Sequence, residues 1–231
     1  MKKTVVIHQP DFLPYLGFFH RLLYADLFVI LDDVQFIKSG WHHRDQIKVS
    51  YGDKKIWITL SVHRSKTDTK INEMTLSMDN KAKKKLLNQI IENYRKSKYF
   101  KEIEPLIRRI ILNKENNLSL YNINIIKELI EIFDIDIEIV ISSVLNHKGK
   151  GNDMNVDILK KVKATHYLSG VGAKDYHDDK PFEKENIEVI WQDFKHPTYP
   201  QLHGDFIPYL SSIDLLFNCG IEKSRKILRS I

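Results

Sequence analysis

Residues 4–33 read TVVIHQPDFLPYLGFFHRLLYADLFVILDD, and their pattern decides the fold. TVVIHQP begins as a short uncharged run, the mark of a buried strand, and Pro10 ends it because proline has no N–H for a ladder. Pro10 and Pro14 bracket a loop. LGFFHRLLYA then reads as a short helix, and LFVILDD as a second strand closing on two acids. Strand, loop, helix, strand is the opening of a parallel α/β sheet, since parallel neighbours need a crossover between them.

Downstream of this opening, QIKVS and KKIWITLSV read as strands across the turn YGDK, which predicts a hairpin. A helical block follows. In KKKLLNQIIENYR the apolar positions Leu86, Leu87, Ile90, Ile91 and Tyr94 recur at helical spacing, with Asn80 or Asp79 as N-cap. EIEPLIRRIIL and LSLYNINIIKELIEIF continue the block. Alternation then returns: strand IEIVISS, helix MNVDILKKVK, strand THYLSG, a helix start at GAKDYHD and strand IEVIWQ. IPYLSSIDLLFN and EKSRKILRSI close the chain as two helices. The expected fold is one α/β domain over residues 1–231, a Rossmann-like parallel sheet with a helical insertion. Residues 1–78 form its N-terminal α/β part with the hairpin, 79–133 the insert and 134–231 the C-terminal α/β part.

Composition narrows the function classes. The net charge is +6, but Lys, Asn and Ile are all abundant, and the clearest basic cluster (Lys81, Lys83, Lys84, Lys85) reads as a solvated helix face. No zinc-finger, RNP or arginine-rich recognition pattern accompanies the charge, which fits an anionic ligand such as a nucleotide-sugar or an acidic carrier protein at least as well as nucleic acid, and no nucleic-acid partner is expected. The single cysteine, Cys219, cannot form an internal disulfide and reads as a small buried hydrophobe. MKKTVVIHQPDF lacks a signal-peptide core, and no window approaches the ~20 apolar residues of a membrane span. A cytoplasmic protein is expected.

Five stretches carry groups suited to chemistry. His8 and Gln9 end the first strand, where open α/β sheets bind ligands. His8 there is a general base, a phosphate donor, or a histidine satisfied by loop carbonyls. Gln9 brings an amide, and Gly17 lets a ligand approach the backbone near the helix start. The loop from Pro14 to His20, with Tyr15, is loosely like the HIGH loop of nucleotidyltransferases but lacks the H-x-G-H spacing. Asp32 and Asp33 follow the second strand as metal or ribose ligands, or as caps. In KSGWHHRDQIK, Arg44 and Lys48 are anion binders, or the stretch is a basic loop. Ser169, Gly170 and Gly172 form a backbone cradle after THYLSG, with Tyr176 one turn on. Tyr199 and Gln201 lie in a proline-stiffened loop. Asp214 and Asn218, i and i+4 amid apolar neighbours, form either a buried network or a ligand contact.

In this order the strings HQPDFLPYLGFF, ADLFVILDDVQF, Arg44-x-x-Ile47-Lys48, NYRKSKYF, ISSVL, YLSGVGAKDY and YPQLHGDFIPYLSSIDLLFNCG resemble the WbqC-like family over nearly the whole chain. One departure stands out: the family has Asn-Arg-Asn before the Ile-Lys pair, and this chain has His43-Arg44-Asp45. The resemblance implies a role in making O-antigen or a related bacterial surface glycan, with glycine transfer onto an amino sugar as the proposed chemistry. The resulting expectation is an aminoacyl or acyl transferase. Its acceptor is the amine of a nucleotide-linked amino sugar. Its donor is an activated amino acid, such as a glycyl thioester on the phosphopantetheine of a carrier protein. His8 is the base, Asp33 its orienting partner, and Arg44 and Lys48 hold phosphate. Ser169, Gly170 and Gly172 face an anion or oxyanion. Two other readings stand beside it: a nucleotidyl- or adenylyltransferase using ATP and Mg²⁺ on Asp32 or Asp33, and a non-catalytic binding protein of the polysaccharide machinery.

Overall fold

A computed structural model describes residues 2–49 and 54–231. Five strands form a wholly parallel sheet in the order β5-β2-β1-β6-β7. They are β1 (Thr4–His8), β2 (Leu27–Ile30), β5 (Glu138–Ile141), β6 (His166–Ser169) and β7 (Glu188–Trp191). This is the doubly wound, Rossmann-like arrangement. The chain steps outward from β1 to β2 and β5, then returns to build β6 and β7 on the other side of β1. The crossovers place helices on both faces. Helix α1 (Leu16–Leu22) covers one face with Val6, Phe28, Ile30 and Leu168 beneath it. Helices α5 (Gly151–Lys161) and α6 (Lys180–Lys184) cover the other, over Val5, Ile7, Leu27 and Val29. Burial on both faces explains why β1 and β2 read as continuous apolar runs.

Strands β3 (Arg44–Lys48) and β4 (Lys55–Thr59) pair antiparallel as a separate two-stranded sheet. The turn YGDK between them falls mostly outside the described residues. The helical block comprises α2 (Asn80–Tyr94), α3 (Phe100–Ile111) and α4 (Leu118–Phe133). Of the two cap candidates it is Asp79 that acts, its carboxylate accepting the Ala82 N–H at 2.7 Å. The two expected C-terminal helices are present within α7 (Ile213–Arg229), meeting at a kink where Gly220 leaves helical geometry. Gly220 has φ 73°, and a Cβ there would lie 2.5 Å from the Tyr99 ring, so only glycine fits the bend. The helix expected from GAKDYHD is instead a 3₁₀ segment, Val171–Tyr176. Among the described residues no helix is long and apolar enough to cross a membrane.

The order of strands creates one special place. β1 and β6 are the neighbours between which the winding reverses. They pair only through Thr4–His166 and Val5–Tyr167, whereas β1 and β2 pair along four residues. Toward their carboxyl ends β1 and β6 are unbridged, a gap in the ladder at the switch point, where doubly wound sheets have their ligand crevice.

Candidate functional site

His8 is the last residue of β1 and stands at this crevice; carrying the β1–β6 register forward sets it opposite Gly170. Its Nδ1 lies 3.0 Å from the Gln9 carbonyl oxygen. A carbonyl only accepts, so Nδ1 carries the proton and Nε2 keeps its lone pair. The Asp11 carboxylate lies 3.6 Å from the same Nδ1. Phe18 packs edge-on against the ring at 5.1 Å. Burial, then the nearby Arg21 charge, pushes the His8 pKa down to about 3. Burial pushes Asp11 the other way, up to about 7, against the pull of Arg21. The pair is therefore held as a neutral imidazole beside a carboxyl that titrates near neutrality.

Gln9 is held rather than free. The Ile37 N–H reaches His42 Nδ1 at 3.5 Å, so His42 Nε2 donates to Gln9 Oε1 at 2.8 Å. Asn122 of α4 donates to the carbonyls of Pro10 at 2.8 Å and His42 at 2.6 Å, clamping the loop after β1 to the segment before β3.

Across the crevice, Ser169 ends β6 with only 2% exposure and Gly170 follows it. A Cβ on Gly170 would lie 3.0 Å from Arg21 Nη1, so the guanidinium rests against this glycine. Arg21 is 5% exposed, and its Nε has no hydrogen-bond partner among the described residues. Burial lowers its pKa; Tyr15, Tyr167 and Asp11 are the acidic groups near it. Arg21 and Asp11 were not anticipated from sequence. Their signals were slight: the charged residue of an otherwise apolar helix, and an acid three residues after the strand-end histidine.

Other expected site residues lie elsewhere. Asp33 does not meet His8; its Oδ2 pairs with His147 Nε2 at 2.7 Å and its Oδ1 accepts from Ser142 at 2.5 Å. The expectation that Asp33 orients His8 is corrected, and Asp11 occupies that place. Asp32 is a cap: it accepts the Ser143 N–H at 3.1 Å, the Ser143 hydroxyl at 2.9 Å and the Asn72 amide at 3.2 Å. Those bonds leave little of its carboxylate for a metal or ribose. Among the described residues no group of three His, Cys, Asp or Glu could hold a metal ion.

Lys48 turns inward and is fully buried, its ammonium spent on the carbonyls of Gly204 and Asp205 and on Gln201 Oε1. It is no anion binder. Tyr199 and Gln201 donate to buried Asp214 at 2.9 and 2.8 Å, and Tyr94 donates to the same carboxylate at 2.8 Å. This is the closed network among the two alternatives for Asp214, and it removes Tyr199 and Gln201 from any ligand-facing surface. Arg44 lies on the outer face of the hairpin, 4.3 Å over the Trp57 ring, and donates to the Ser39 carbonyl.

The remaining expectations divide between the crevice and its rim. Tyr15 borders Arg21 and Asp11. A Cβ on Gly17 would lie 2.4 Å from the Tyr15 ring, so this glycine makes room for a side chain and not for a ligand. Gly172 has open space around it, and Tyr176 is exposed.

The family comparison reaches across this whole arrangement. A model of the WbqC-like protein family matches residues 9–226. The chain belongs to the WbqC-like family. It is also similar to the uncharacterized protein Rv1507c of Mycobacterium tuberculosis (strain ATCC 25618 / H37Rv), at 31% identity over 225 residues, 96% of each chain. No solved structure matches. The departure from the WbqC-like pattern at Asp45 falls next to the site. Asp45 is 3% exposed, lies near Asp11, and accepts the Gln46 N–H at 2.5 Å. Burial raises its pKa well above the carboxylate range. The neutral acid so favoured has nearly the shape and charge of an asparagine, the residue the family resemblance leads one to expect at this position.

Proposed function

We propose that this chain is a transferase that moves an activated amino acid, such as glycine, or another acyl group onto the amine of a nucleotide-linked amino sugar for a bacterial surface glycan. The observation that carries the reading is His8. Its proton is fixed on Nδ1 by the Gln9 carbonyl, and its Nε2 lone pair is left for a substrate at the mouth of the crevice. Family membership supports the biosynthetic setting.

The reaction follows from that tautomer. The acceptor nitrogen bonds to the carbonyl carbon of the acyl donor, a thioester on a carrier protein. His8 Nε2 takes the proton that the nitrogen loses. The carbon–sulfur bond then breaks, and the thiolate leaves with the proton returned by His8. Asp11 lies beside Nδ1, where its carboxylate stabilises the imidazolium that forms in between. The Ser169 hydroxyl, at the end of β6 and hydrogen-bonded to Tyr167, is the group assigned to the oxyanion. No covalent acyl-enzyme is required. The nucleotidyl-transfer reading loses its metal ligands, since Asp32 and Asp33 are committed to Ser143, Asn72, Ser142 and His147.

The test is direct. Purified chain is incubated with a glycyl-loaded carrier protein and dTDP- or UDP-linked amino sugars, and products are followed by mass spectrometry. Acylated sugar nucleotide that disappears with His8→Gln supports the reading. No product across the donor and acceptor panel, with the protein folded, overturns it.

A further inference from the structure

We propose that Arg21 is the receptor for a substrate oxyanion, a phosphoryl or carboxylate group seated between the carboxyl ends of β1 and β6. The proposal rests on the crevice being the reaction site, and it supplies the anion contact that neither Lys48 nor Arg44 provides there.

Three observations carry it. The first is the state of the guanidinium. Arg21 is 5% exposed, its Nε has no hydrogen-bond partner, and none of the described carboxylates pairs with it. Arginine keeps its charge in proteins, and a buried charge left unpaired is costly. The acidic neighbours do not relieve this: Tyr15 and Tyr167 are held neutral by burial, and Asp11, which titrates near neutrality, makes its ion-pair contact with His8 and not with Arg21. The second is the shape of the floor. Gly170 has no side chain where a Cβ would stand 3.0 Å from Nη1, so guanidinium and backbone lie in close contact at the strand end. The third is position. β1 and β6 part at the topological switch point, the place where doubly wound sheets take their ligands. A planar guanidinium offers two parallel N–H groups to an oxyanion, which suits either phosphate or carboxylate.

A consequence links this contact to catalysis. His8 is faced by Arg21 from α1, by His42 from the segment before β3 and by Asp11 from its own loop. Burial is the larger cause of the weak His8 basicity and the Arg21 charge the second, and an anion on Arg21 offsets the second. The base is thus stronger when the substrate is seated than when the crevice is empty.

The experiment uses the full chain and two probes, inorganic phosphate and acetate, at constant ionic strength set by chloride. Thermal unfolding and calorimetry read the binding, and the His8 ring resonances read the coupling. The wild type is expected to show a saturable rise in melting temperature with at least one probe, and the stronger arm names the group. Arg21→Met should weaken that binding about ten- to a hundredfold, as for loss of a charge-assisted hydrogen bond. Without probe it should melt no lower than wild type, since it removes an unpaired buried charge. Gly170→Ala keeps the arginine and crowds it, so it should also weaken binding and serves if Arg21→Met does not fold. Binding of the probe should move the His8 titration upward in wild type and not in Arg21→Met. No saturable response in wild type, or an undiminished response in both variants, overturns the proposal. Anion binding through Arg21 without any acyl transfer would sink the transferase reading and keep this site. Acyl transfer undiminished in Arg21→Met would do the reverse.

Discussion

Two of the buried polar clusters among the described residues, one around Asp214 and one at the crevice, differ in one respect. Around Asp214, donors and acceptors meet: the carboxylate accepts from Tyr94, Tyr199 and Gln201, and Lys48 spends its ammonium on Gln201 and two carbonyls. At the crevice they do not: Arg21 Nε has no partner, and His8 Nε2 is left with its lone pair. Burial alone therefore does not separate structure from function. A closed polar network holds its own elements together, whereas an open one needs a further molecule to complete it.

The largest effect should come from breaking the closed cluster. Asp214→Ala leaves two buried hydroxyls and an amide without their acceptor and strands the Lys48 charge nearby. A loss of about 3–5 kcal/mol is expected, the range for removing one partner of a buried charged set. Urea unfolding measures it, and a change under about 1 kcal/mol would show that the network does not hold the C-terminal helix.

Breaking the open cluster should spare the fold and stop the chemistry. His8→Gln removes the base while keeping a polar group of similar reach. Turnover in the acyl-transfer assay should fall about 10²- to 10⁴-fold. The unfolding free energy should move by less than about 1 kcal/mol. Equal losses of stability in both experiments would erase the distinction between the clusters.

A smaller effect sharpens the same contrast through pH. Asp11 has its pKa raised to about 7, far above its unfolded value near 3.8. A raised carboxyl contributes stability that is complete below the unfolded value and is lost as pH rises through about 7, because the native state then carries a buried charge. Activity should move oppositely, rising through that range as the carboxylate forms beside His8 Nδ1. Asp11→Asn should flatten the activity rise and become relatively more stable than wild type as pH climbs. An activity profile in Asp11→Asn that keeps the same inflection would assign the titration to another group.

How far the sequence foretold these clusters differs by scale. The uncharged run Thr4–Ile7, the stop at Pro10 and the acids after LFVIL were enough to announce a parallel sheet, because burial on both faces leaves a continuous apolar signature. That His8 stands at a strand end was legible for the same reason. Pairings were not. Asp33 is adjacent to His8 in pattern but meets His147 across 114 residues, and Lys48 meets a loop more than 150 residues away. Nothing local distinguishes a lysine that points outward from one that is swallowed by distant carbonyls. Arg21 was hidden by its helix: amid LGFFHRLLYA, an arginine reads as the solvent edge of an amphipathic turn, and only the approach of Gly170 from β6 reveals that it is enclosed.

The smallest effect is expected at Arg44, and it tests whether the outer face of the hairpin belongs to either cluster. Along β3 the side chains alternate. Asp45 and Ile47 enter the interior, while Arg44 lies over the exposed Trp57, which in turn sits 5.3 Å from Trp41. An exposed cation–π contact is worth about 0.5–1 kcal/mol. Arg44→Ala should cost about that much stability and leave acyl transfer within about twofold of wild type. The two tryptophans would remain as an aromatic surface without their cation. A tenfold or greater rise in KM with kcat unchanged would give Arg44 a binding role after all, because such a change removes contacts made equally in ground and transition states. The crevice would then extend over the edge of the hairpin, and the anion would be shared between a buried arginine and a half-buried one.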